Sequence, residues 1–337
     1  MRYSVMFFSA PLATAGQHPY EVFSRVVQWA DQQELDGVWV PERHFTQFGG
    51  PFPNPVVALS HAAAITKKLK LRAGSVILPL HNPIRVAEDW AMVDNLSGGR
   101  TEISFGSGWN ADDFALNPDH YEDRREYLNT QIDIVRRAWR GEPVDLTNGA
   151  GRPVRIVTLP RPVQSELPIW LTAQSDSTFA WAGSQGYPVL TNLNFTLPDQ
   201  LRQRVAAYRE ASRAAGHGAG WVALMTHCFV GSEADMARHQ IGPALTRYLE
   251  ANLSMRVQAS AARGGSLAPN QSRQHAVAQG GADRLSHGGS LVCGPGDVRE
   301  RVQALGSLDV DELALLVDFV TDPDAVIGGL WTMFEAL

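Results

Sequence analysis

The sequence predicts an α/β protein with a (β/α)₈ TIM-barrel fold and two insertions. Short, β-rich apolar runs alternate with segments of helical period almost from one end of the 337 residues to the other. Eight such strand–helix units match a closed barrel, and polar clusters follow several of the strands, as they do at the functional end of parallel α/β proteins. A doubly wound open sheet is the alternative, because periodicity alone does not prove closure. We find no internal repeat and interpret residues 1–337 as one domain.

The predicted elements follow one another in this alternating order. Asn54-Pro55 supplies an N-cap and a first helical residue for the second helix, and Gly98 supplies a C-cap for the third. Strands are predicted at 3–9, 37–41, 71–78, 101–106, 168–173, 187–191, 221–230 and 312–317. Helices are predicted at 20–34, 55–68, 84–96, 122–139, 177–185, 198–215, 233–256, 297–305 and 323–336.

Two segments interrupt the alternation. Residues 142–160 contain Thr147-Asn148-Gly149 between β-like runs, which predicts a hairpin insertion. Residues 257–290 are rich in Gly, Ser, Ala and Gln and have no clear period, which predicts a mobile, lid-like insertion beside the strand ends. A surface insertion without a role is the alternative for the second segment.

Composition excludes several classes of protein. The chain is 44% hydrophobic and 19% charged, has a net charge of -6 and contains no dense basic block, which argues against nucleic acid or an anionic membrane as the main partner. Cys228 and Cys293 alone do not indicate a disulfide framework. With no visible signal peptide and no apolar run of membrane-spanning length, we expect a cytoplasmic protein. Histidine patterns typical of metal hydrolases are absent, so we expect no metal site.

Charged residues follow the second predicted strand directly, in the order Glu42-Arg43-His44. Histidine is the side chain most readily tuned for proton transfer near neutral pH. Arginine offers a fixed set of donors for an anionic group or a developing oxyanion. The structural alternative is an ion pair between Glu42 and Arg43, with His44 capping a loop. The Gly/Pro-rich loop that follows favours a site, so we predict His44 and Arg43 as catalytic residues.

Two further strand ends contain candidate ligand-binding residues. Gly74 in the third strand would let a flat ligand approach the backbone closely, although a bulge or a crowded barrel interior explains it as well. After the fourth strand, Ser107, Trp109 and Asn110 precede Asp113, and these polar groups would line a pocket. An ordinary strand-to-helix turn is the structural alternative.

The turn after the fifth barrel strand contains Gln174, Ser175 and Thr178 at the start of a predicted helix. The free amide groups of a helix's first turn bind anions, and the hydroxyls add donors. Simple N-capping uses the same residues, so their spacing does not separate the two roles. The sequence has no P-loop and no Gly-x-Ser-x-Gly elbow.

Four stretches taken together resemble a known family, and the resemblance covers nearly the whole chain. They are Pro41-Glu42-Arg43-His44-Phe45, residues 72–83, residues 93–100 and Ser107-Gly108-Trp109-Asn110. The chain resembles the bacterial-luciferase-like flavin-dependent monooxygenases, and most closely their natural-product biosynthesis subgroup. The resemblance implies a TIM barrel that binds reduced FMN at its C-terminal mouth and uses O₂ to oxygenate a secondary-metabolite intermediate.

The resemblance also implies roles for individual residues. Gly74 and Ser75 match the family's non-proline cis peptide beneath the flavin ring. Gln174, Ser175 and Thr178 match its phosphate-binding turn. In addition, His44 matches the second histidine of the luciferase motif, Asp113 matches an acid near the pocket, and Ser107 lies beside the flavin phosphate.

Three positions depart from luciferase. Arg43 replaces its catalytic histidine, Gly106 its reactive cysteine, and Ser107 an arginine beside the flavin phosphate. We therefore do not expect light emission from a long-chain aldehyde. Phosphate binding must depend more on the 174–178 turn, together with a cation that the sequence does not identify.

The resemblance implies partners as well. A separate flavin reductase would supply the reduced FMN, the substrate would be a small molecule, free or tethered to a carrier protein, and the chain would form a homodimer. A hydride-transfer enzyme using a flavin or deazaflavin, and a non-catalytic flavin-binding protein, are the alternatives. The apolar side chains that would supply the dimer contact are Leu59, Ala62, Ala63, Ile65, Trp90, Val93 and Leu96.

Overall fold

A closed barrel of parallel strands forms the centre of the molecule. The structure, a computed structural model, describes residues 1–8, 19–46, 48–193, 196–261 and 271–337. Its strands are β1 (Arg2–Met6), β2 (Gly37–Val40), β3 (Lys70–Ile77), β4 (Thr101–Gly106), β5 (Val144–Thr147), β6 (Pro153–Ile156), β7 (Ile169–Thr172), β8 (Val189–Asn192), β9 (Val222–Val230), β10 (Leu291–Cys293) and β11 (Glu312–Leu316).

Closure depends on the pairing of β8 with β9. The sheet runs in the order β9-β11-β1-β2-β3-β4-β7-β8, and β8 pairs in parallel with β9, for example Val189 with Val222. The eight-stranded parallel ring confirms the predicted (β/α)₈ fold and excludes the open doubly wound sheet. The short strand β10 pairs with the end of β9 outside the ring and was not predicted.

Helices surround the barrel, and local sequence signals define several of their ends. Asn54 and Asn82 cap the second and third helices by accepting hydrogen bonds from backbone amides, and Gly98 ends the third with a left-handed φ of 71°. The helices are α1 (Pro19–Gln32), α2 (Pro55–Ile65), α3 (Pro83–Ser97), α4 (Arg124–Arg140), α5 (Asp176–Gln185), α6 (Pro198–Ala214), α7 (Glu233–Arg238), α8 (Ile241–Ala261), α9 (Gln271–Arg284), α10 (Val298–Gly306) and α11 (Pro323–Ala336).

A buried ionic cluster fills the barrel near the N-terminal ends of its strands. Arg72 is 1% exposed and donates to Glu102 over 2.7 Å and to Glu312 over 3.0 Å. It also donates to Asp36, and the indole of Trp39 donates to Glu312 over 3.1 Å. Burial opposes the charge of Arg72, but the surrounding carboxylates raise its pKa above the usual value. The cluster therefore closes the end of the barrel opposite to the strand exits.

Both interrupting segments contain regular structure. Strands β5 and β6 form an antiparallel hairpin within 142–160. Of the segment 257–290, residues 262–270 lie outside the described residues, whereas the rest contains the end of α8, helix α9 and a short π-helix at Leu285–Gly289. Helix α9 packs against α8, where Gln279 accepts a hydrogen bond from Thr246 over 3.3 Å. Residues 271–284 are thus a packed helix, and lid behaviour stays a prediction.

The side chains expected at a dimer contact mostly face inward. Only Leu96 among them is well exposed, at 63%, and Ile65 is half-buried. The helical period cannot distinguish an apolar stripe that faces the barrel from one that faces a partner subunit. In the structure, these side chains mostly pack against the barrel. The side chains buried within the subunit are Leu59, Ala62, Ala63, Trp90 and Val93. Among the described residues, no helix has the length and apolar character needed to cross a membrane.

Candidate active site

A cavity of about 420 Å³ opens at the C-terminal ends of the barrel strands. This volume lies within the range of roughly 300–1,000 Å³ that is typical of small-molecule sites. Its described walls come from residues on or just after seven of the barrel strands, β1, β2, β3, β4, β7, β8 and β9, and from α4, α5 and α8. The lining residues are Phe8, Pro41, Glu42, Arg43, Gly74, Ser75, Ile77, Gly106, Ser107, Gly108, Trp109, Arg125, Thr172, Gln174, Ser175, Thr178, Asn192, Met225, Asn252, Met255 and Arg256.

A helix start with two hydroxyls lies on the cavity wall, and a cation lines the same cavity. Ser175 is the N-cap of α5, and its Oγ accepts a hydrogen bond from the Thr178 amide over 3.3 Å. The hydroxyls of Ser175 and Thr178 are 2.8 Å apart, and Gln174 lines the wall beside them. Arg125, near the start of α4, lines the same cavity. Amide groups, hydroxyls and a guanidinium are the groups that bind phosphate.

The floor of the cavity is made of backbone and small residues. Gly74 and Ser75 are joined by a cis peptide bond, and the pairing of β3 with β4 shifts register there. Gly106 lies opposite, where an added Cβ would come within 2.9 Å of the Ser75 Oγ. An added Cβ at Gly74 would come within 3.0 Å of the Leu190 and Trp39 side chains, so the crowded barrel interior requires this glycine, while its backbone lines the cavity.

Arg43 is directed into the cavity by the loop after β2. Its guanidinium lies 4.5 Å from the ring centre of Phe8, and its Nε is buried with no hydrogen-bond partner among the described residues. Gly49, with φ of 83°, packs on the Arg43 stem, where an added Cβ would come within 2.4 Å of Cγ. Burial lowers the pKa of Arg43, although the nearby Asp113 carboxyl opposes this.

A second guanidinium enters from α8. Arg256 lies 5.2 Å from the ring centre of Trp109, and its Nε donates to Asn252 over 3.3 Å. Burial, reinforced by the charge of Arg43, lowers the pKa of Arg256 to about 10. Arginine stays protonated in proteins, so both side chains carry a positive charge, and both line the same cavity.

Glu42 organises the loop behind the cavity wall. Its Oε1 lies 2.8 Å from His44 Nε2 and 2.5 Å from His81 Nε2, and its Oε2 accepts from the Ile77 amide over 2.7 Å. Burial alone would raise the pKa of Glu42, but these three hydrogen bonds lower it below its usual value. Burial likewise opposes the charge on His81, but Glu42 raises the pKa of His81. Glu42 thus pairs with two histidines rather than with Arg43.

Three predicted site residues do not reach the described cavity wall. His44 lies behind it, on Glu42, with 11% of its side chain exposed. Asn110 and Asp113 are buried and bond to each other, with Asn110 Nδ2 donating to Asp113 Oδ1 over 2.8 Å. Burial raises the pKa of Asp113, against the effects of Asn110 and Arg43. These three residues therefore support the wall from behind.

The remaining predicted residues do come together on the wall. They are Arg43, Gly74, Ser75, Ser107, Trp109, Gln174, Ser175 and Thr178. The cavity is also lined by Arg125 on α4 and by Asn252, Met255 and Arg256 on α8, which were not predicted as site residues. In the sequence, Arg124-Arg125 at a predicted helix start indicates a cation near the strand exits. No local sequence feature distinguishes Arg256 from other arginines.

Comparison with known proteins places the chain in a family. Residues 1–312 match the model of the luciferase-like monooxygenases, and the chain belongs to this family. It is 28% identical over 212 residues to the alkanal monooxygenase alpha chain of the Kryptophanaron alfredi symbiont, covering 62% of this chain and 58% of that one. It is 31% identical over 147 residues to the 4-hydroxyprotoasukamycin monooxygenase of Streptomyces nodosus subsp. asukaensis, covering 42% and 39%. The matches thus span less than two thirds of these relatives.

Solved structures are similar over the full length. A monooxygenase from Streptomyces bottropensis superposes with a TM-score of 0.78 at 25% identity, covering 100% of this chain and 98% of that one. The oxygenating constituent of a Baeyer-Villiger monooxygenase, 3,6-diketocamphane monooxygenase of Pseudomonas putida, solved with FMN, gives 0.76 at 19% identity, covering 99% and 96%. The second likeness shows the fold alone.

Proposed function

We propose that this protein is an FMN-dependent, two-component monooxygenase that uses reduced FMN and O₂ to oxygenate a secondary-metabolite intermediate. The observation that supports this most strongly is one cavity lined by the Gly74-Ser75 backbone, by Ser175 and Thr178 at a helix start, and by Arg125. The family membership agrees with this chemistry. The match to a Streptomyces monooxygenase supports a substrate from natural-product biosynthesis.

The lining residues would suit FMN: Gln174, Ser175, Thr178 and Arg125 would bind its phosphate, and the Gly74-Ser75 backbone would contact its ring. One phosphate needs only one helix start, which favours FMN over FAD. When bound, reduced FMN would supply the electrons that activate O₂.

The remaining side chains on the wall would act on the substrate. Phe8, Trp109 and Met225 would exclude water from the reacting atoms. Arg43 would orient an anionic or carbonyl oxygen there, because it lines the cavity and a guanidinium offers several donors in a fixed arrangement.

We propose His44 as a positioning residue that acts through Glu42. A hydrogen-bonded carboxylate fixes the ring orientation of His44 and the path of the loop that presents Arg43. His44→Ala should then retain FMN but release more hydrogen peroxide per reduced FMN consumed, since a displaced Arg43 no longer orients the substrate. Unchanged coupling in this variant would remove His44 from the mechanism.

The test of the proposed function is cofactor choice followed by oxygen transfer. Purified protein should bind FMN more tightly than FAD or a deazaflavin cofactor in a fluorescence titration. With reduced FMN from an added reductase, the product of any accepted substrate should contain label from ¹⁸O₂. Equal affinity for FMN and FAD, a preference for the deazaflavin, or unlabelled product would overturn the proposal in favour of hydride transfer. Binding of FMN without turnover of any metabolite of the producing organism would favour a non-catalytic flavin protein.

A further inference from the structure

The cavity has an excess of positive charge that the flavin site does not use. Among the described residues, its charged lining consists of Arg43, Arg125, Arg256 and Glu42. Both oxygens of Glu42 already accept hydrogen bonds from His44, His81 and the Ile77 amide. The chain as a whole has a net charge of -6, so this concentration of guanidinium groups is local. Like charges facing one cavity destabilise the empty site unless an anion binds between them.

In the proposed function, Arg125 and the turn at 174–178 bind the flavin phosphate. Arg43 and Arg256 are the two arginines of the described lining to which that function assigns no phosphate. These two come from different elements, the loop after β2 and helix α8. They are close enough for the charge of Arg43 to act on Arg256. Of the carboxylates near them, Asp113 lies behind the described wall and is bonded to Asn110, and Glu42 is bonded to His44, His81 and the Ile77 amide.

Each guanidinium is backed by an aromatic ring. Arg43 lies over Phe8 at 4.5 Å and Arg256 over Trp109 at 5.2 Å. A ring holds a guanidinium by its face and leaves the donor edge directed elsewhere. The buried Nε of Arg43 has no hydrogen-bond partner among the described residues, and the side chain lines the cavity. The rings themselves supply flat apolar surface beside the charges.

We propose that Arg43 and Arg256 form an oxyanion subsite for the substrate, and that the substrate is an organic acid whose carboxylate is attached to a flat, apolar body. The carboxylate would bind between the two guanidiniums, and the apolar body would pack against Phe8 and Trp109. This inference rests on the proposed function, in which the flavin phosphate occupies the α5 end of the cavity. The competing assignment gives Arg256 to the flavin phosphate.

The experiment uses benzoate and benzamide as matched probes, identical in shape but different in charge. Binding of each is measured by calorimetry on FMN-loaded and on flavin-free protein, for the unmodified chain and for Arg43→Gln, Arg43→Lys and Arg256→Gln. Arg155→Gln, which alters an exposed pair with Asp145 in the β5–β6 hairpin, is the control. Benzoate should bind more tightly than benzamide, and each Gln variant should lose roughly ten- to a hundred-fold in benzoate affinity. Arg43→Lys, which keeps the charge, should lose less than Arg43→Gln.

The flavin titration separates the two assignments. If the inference is correct, the ratio of FMN to riboflavin affinity is unchanged in both Gln variants, which also shows that they fold. Equal binding of benzoate and benzamide, unchanged benzoate affinity in both Gln variants, or a lower FMN-to-riboflavin ratio in Arg256→Gln would overturn it. Failure of the unmodified protein to bind FMN would instead refute the proposed function.

Discussion

We propose Arg125 as the phosphate-binding cation that the sequence left unidentified, because it lines the same cavity as the 174–178 turn. If it binds the flavin phosphate with Ser175 and Thr178, then Arg125→Gln, Ser175→Ala and Thr178→Ala each remove a donor to a charged group. Each should cost roughly 1.5–3 kcal/mol, or about ten- to a hundred-fold in FMN affinity. Riboflavin, which lacks the phosphate, is the matched probe and should bind all four proteins equally. Equal losses for FMN and riboflavin would place the phosphate elsewhere.

His81 and Glu42 predict a defined pH dependence of stability. The pKa of His81 is raised in the folded state, so its contact with Glu42 stabilises the fold fully below the usual histidine pKa of about 6.5. This stabilisation is lost as pH rises through the raised value, while Glu42, whose pKa is lowered, stays charged. His81→Gln should therefore lower the free energy of unfolding more at about pH 6 than at about pH 9.

Urea denaturation at both pH values measures this difference. The exposed His217 provides the control, since His217→Gln should show the same loss at both values. A loss in His81→Gln that does not depend on pH would show that the ring acts by packing alone.

At the residue scale, the sequence located the site but not the orientation of its side chains. Strand ends identify the mouth of a parallel barrel, so the predicted lining at Gly74, Ser107 and Ser175 could be read from the order of elements. Beyond the last paired residue of β2 the period of two no longer applies, so the sequence could not show that Arg43 faces the cavity while His44 binds Glu42.

Helices α8 and α9 connect the cavity wall to the segment predicted to act as a lid. Helix α8 supplies Asn252, Met255 and Arg256 to the cavity wall, and α9 packs against α8. Ligand binding at the inner face should therefore stabilise both helices. We predict that FMN slows amide hydrogen exchange in 241–261 and 271–284, because local opening of a wall helix competes with binding.

Mass spectrometry of peptic fragments measures this exchange. The hairpin of β5 and β6, which supplies no residue to the cavity lining, is the internal reference and should exchange at the same rate with and without FMN. Equal exchange of α8 and α9 in both states would leave the predicted lid without support.

At the scale of elements, strands and helices were predicted where the local sequence pattern determines them, and they were missed where packing between elements determines them. All eight barrel strands combine short apolar runs with flanking turns, and they were predicted. Helix α9 contains Gly280 and Gly281, which weaken helical propensity, and contact with α8 compensates for this, with Leu249 near Gly281. Strand β10 has three residues, too few for a period. Closure of the barrel depends on the pairing of β8 with β9, which is not local.

The stability of the whole barrel depends on the ionic cluster around Arg72. Arg72→Leu would leave Glu312, which is fully buried, without its cation, whereas Glu102 would keep its pair with Lys70. Removing one partner of a buried ion pair costs about 3–5 kcal/mol. We therefore expect a loss of this size in chemical denaturation, with FMN affinity per folded molecule unchanged because the cluster lies at the opposite end of the barrel. Arg155→Leu, in an exposed pair, should change stability little, and an equal effect of the two variants would contradict the cluster's role.

The fold of a single chain does not determine its oligomeric state, and we propose that the protein is a homodimer. Although most of the expected contact residues pack inward, Val57 on α2 and Met92 and Leu96 on the neighbouring α3 are 65%, 53% and 63% exposed. A second copy that covers these apolar side chains would bury surface that water otherwise contacts. Light scattering should give twice the chain mass of 36.8 kDa, and Met92→Glu or Leu96→Glu should shift it toward one chain, since a charge would be buried in the contact. Leu146→Glu, at a partly exposed position in the hairpin, should leave the dimer intact. A single-chain mass for the unmodified protein at micromolar concentration would refute the dimer, and a dimer that persists in both α3 variants would place the contact on another face.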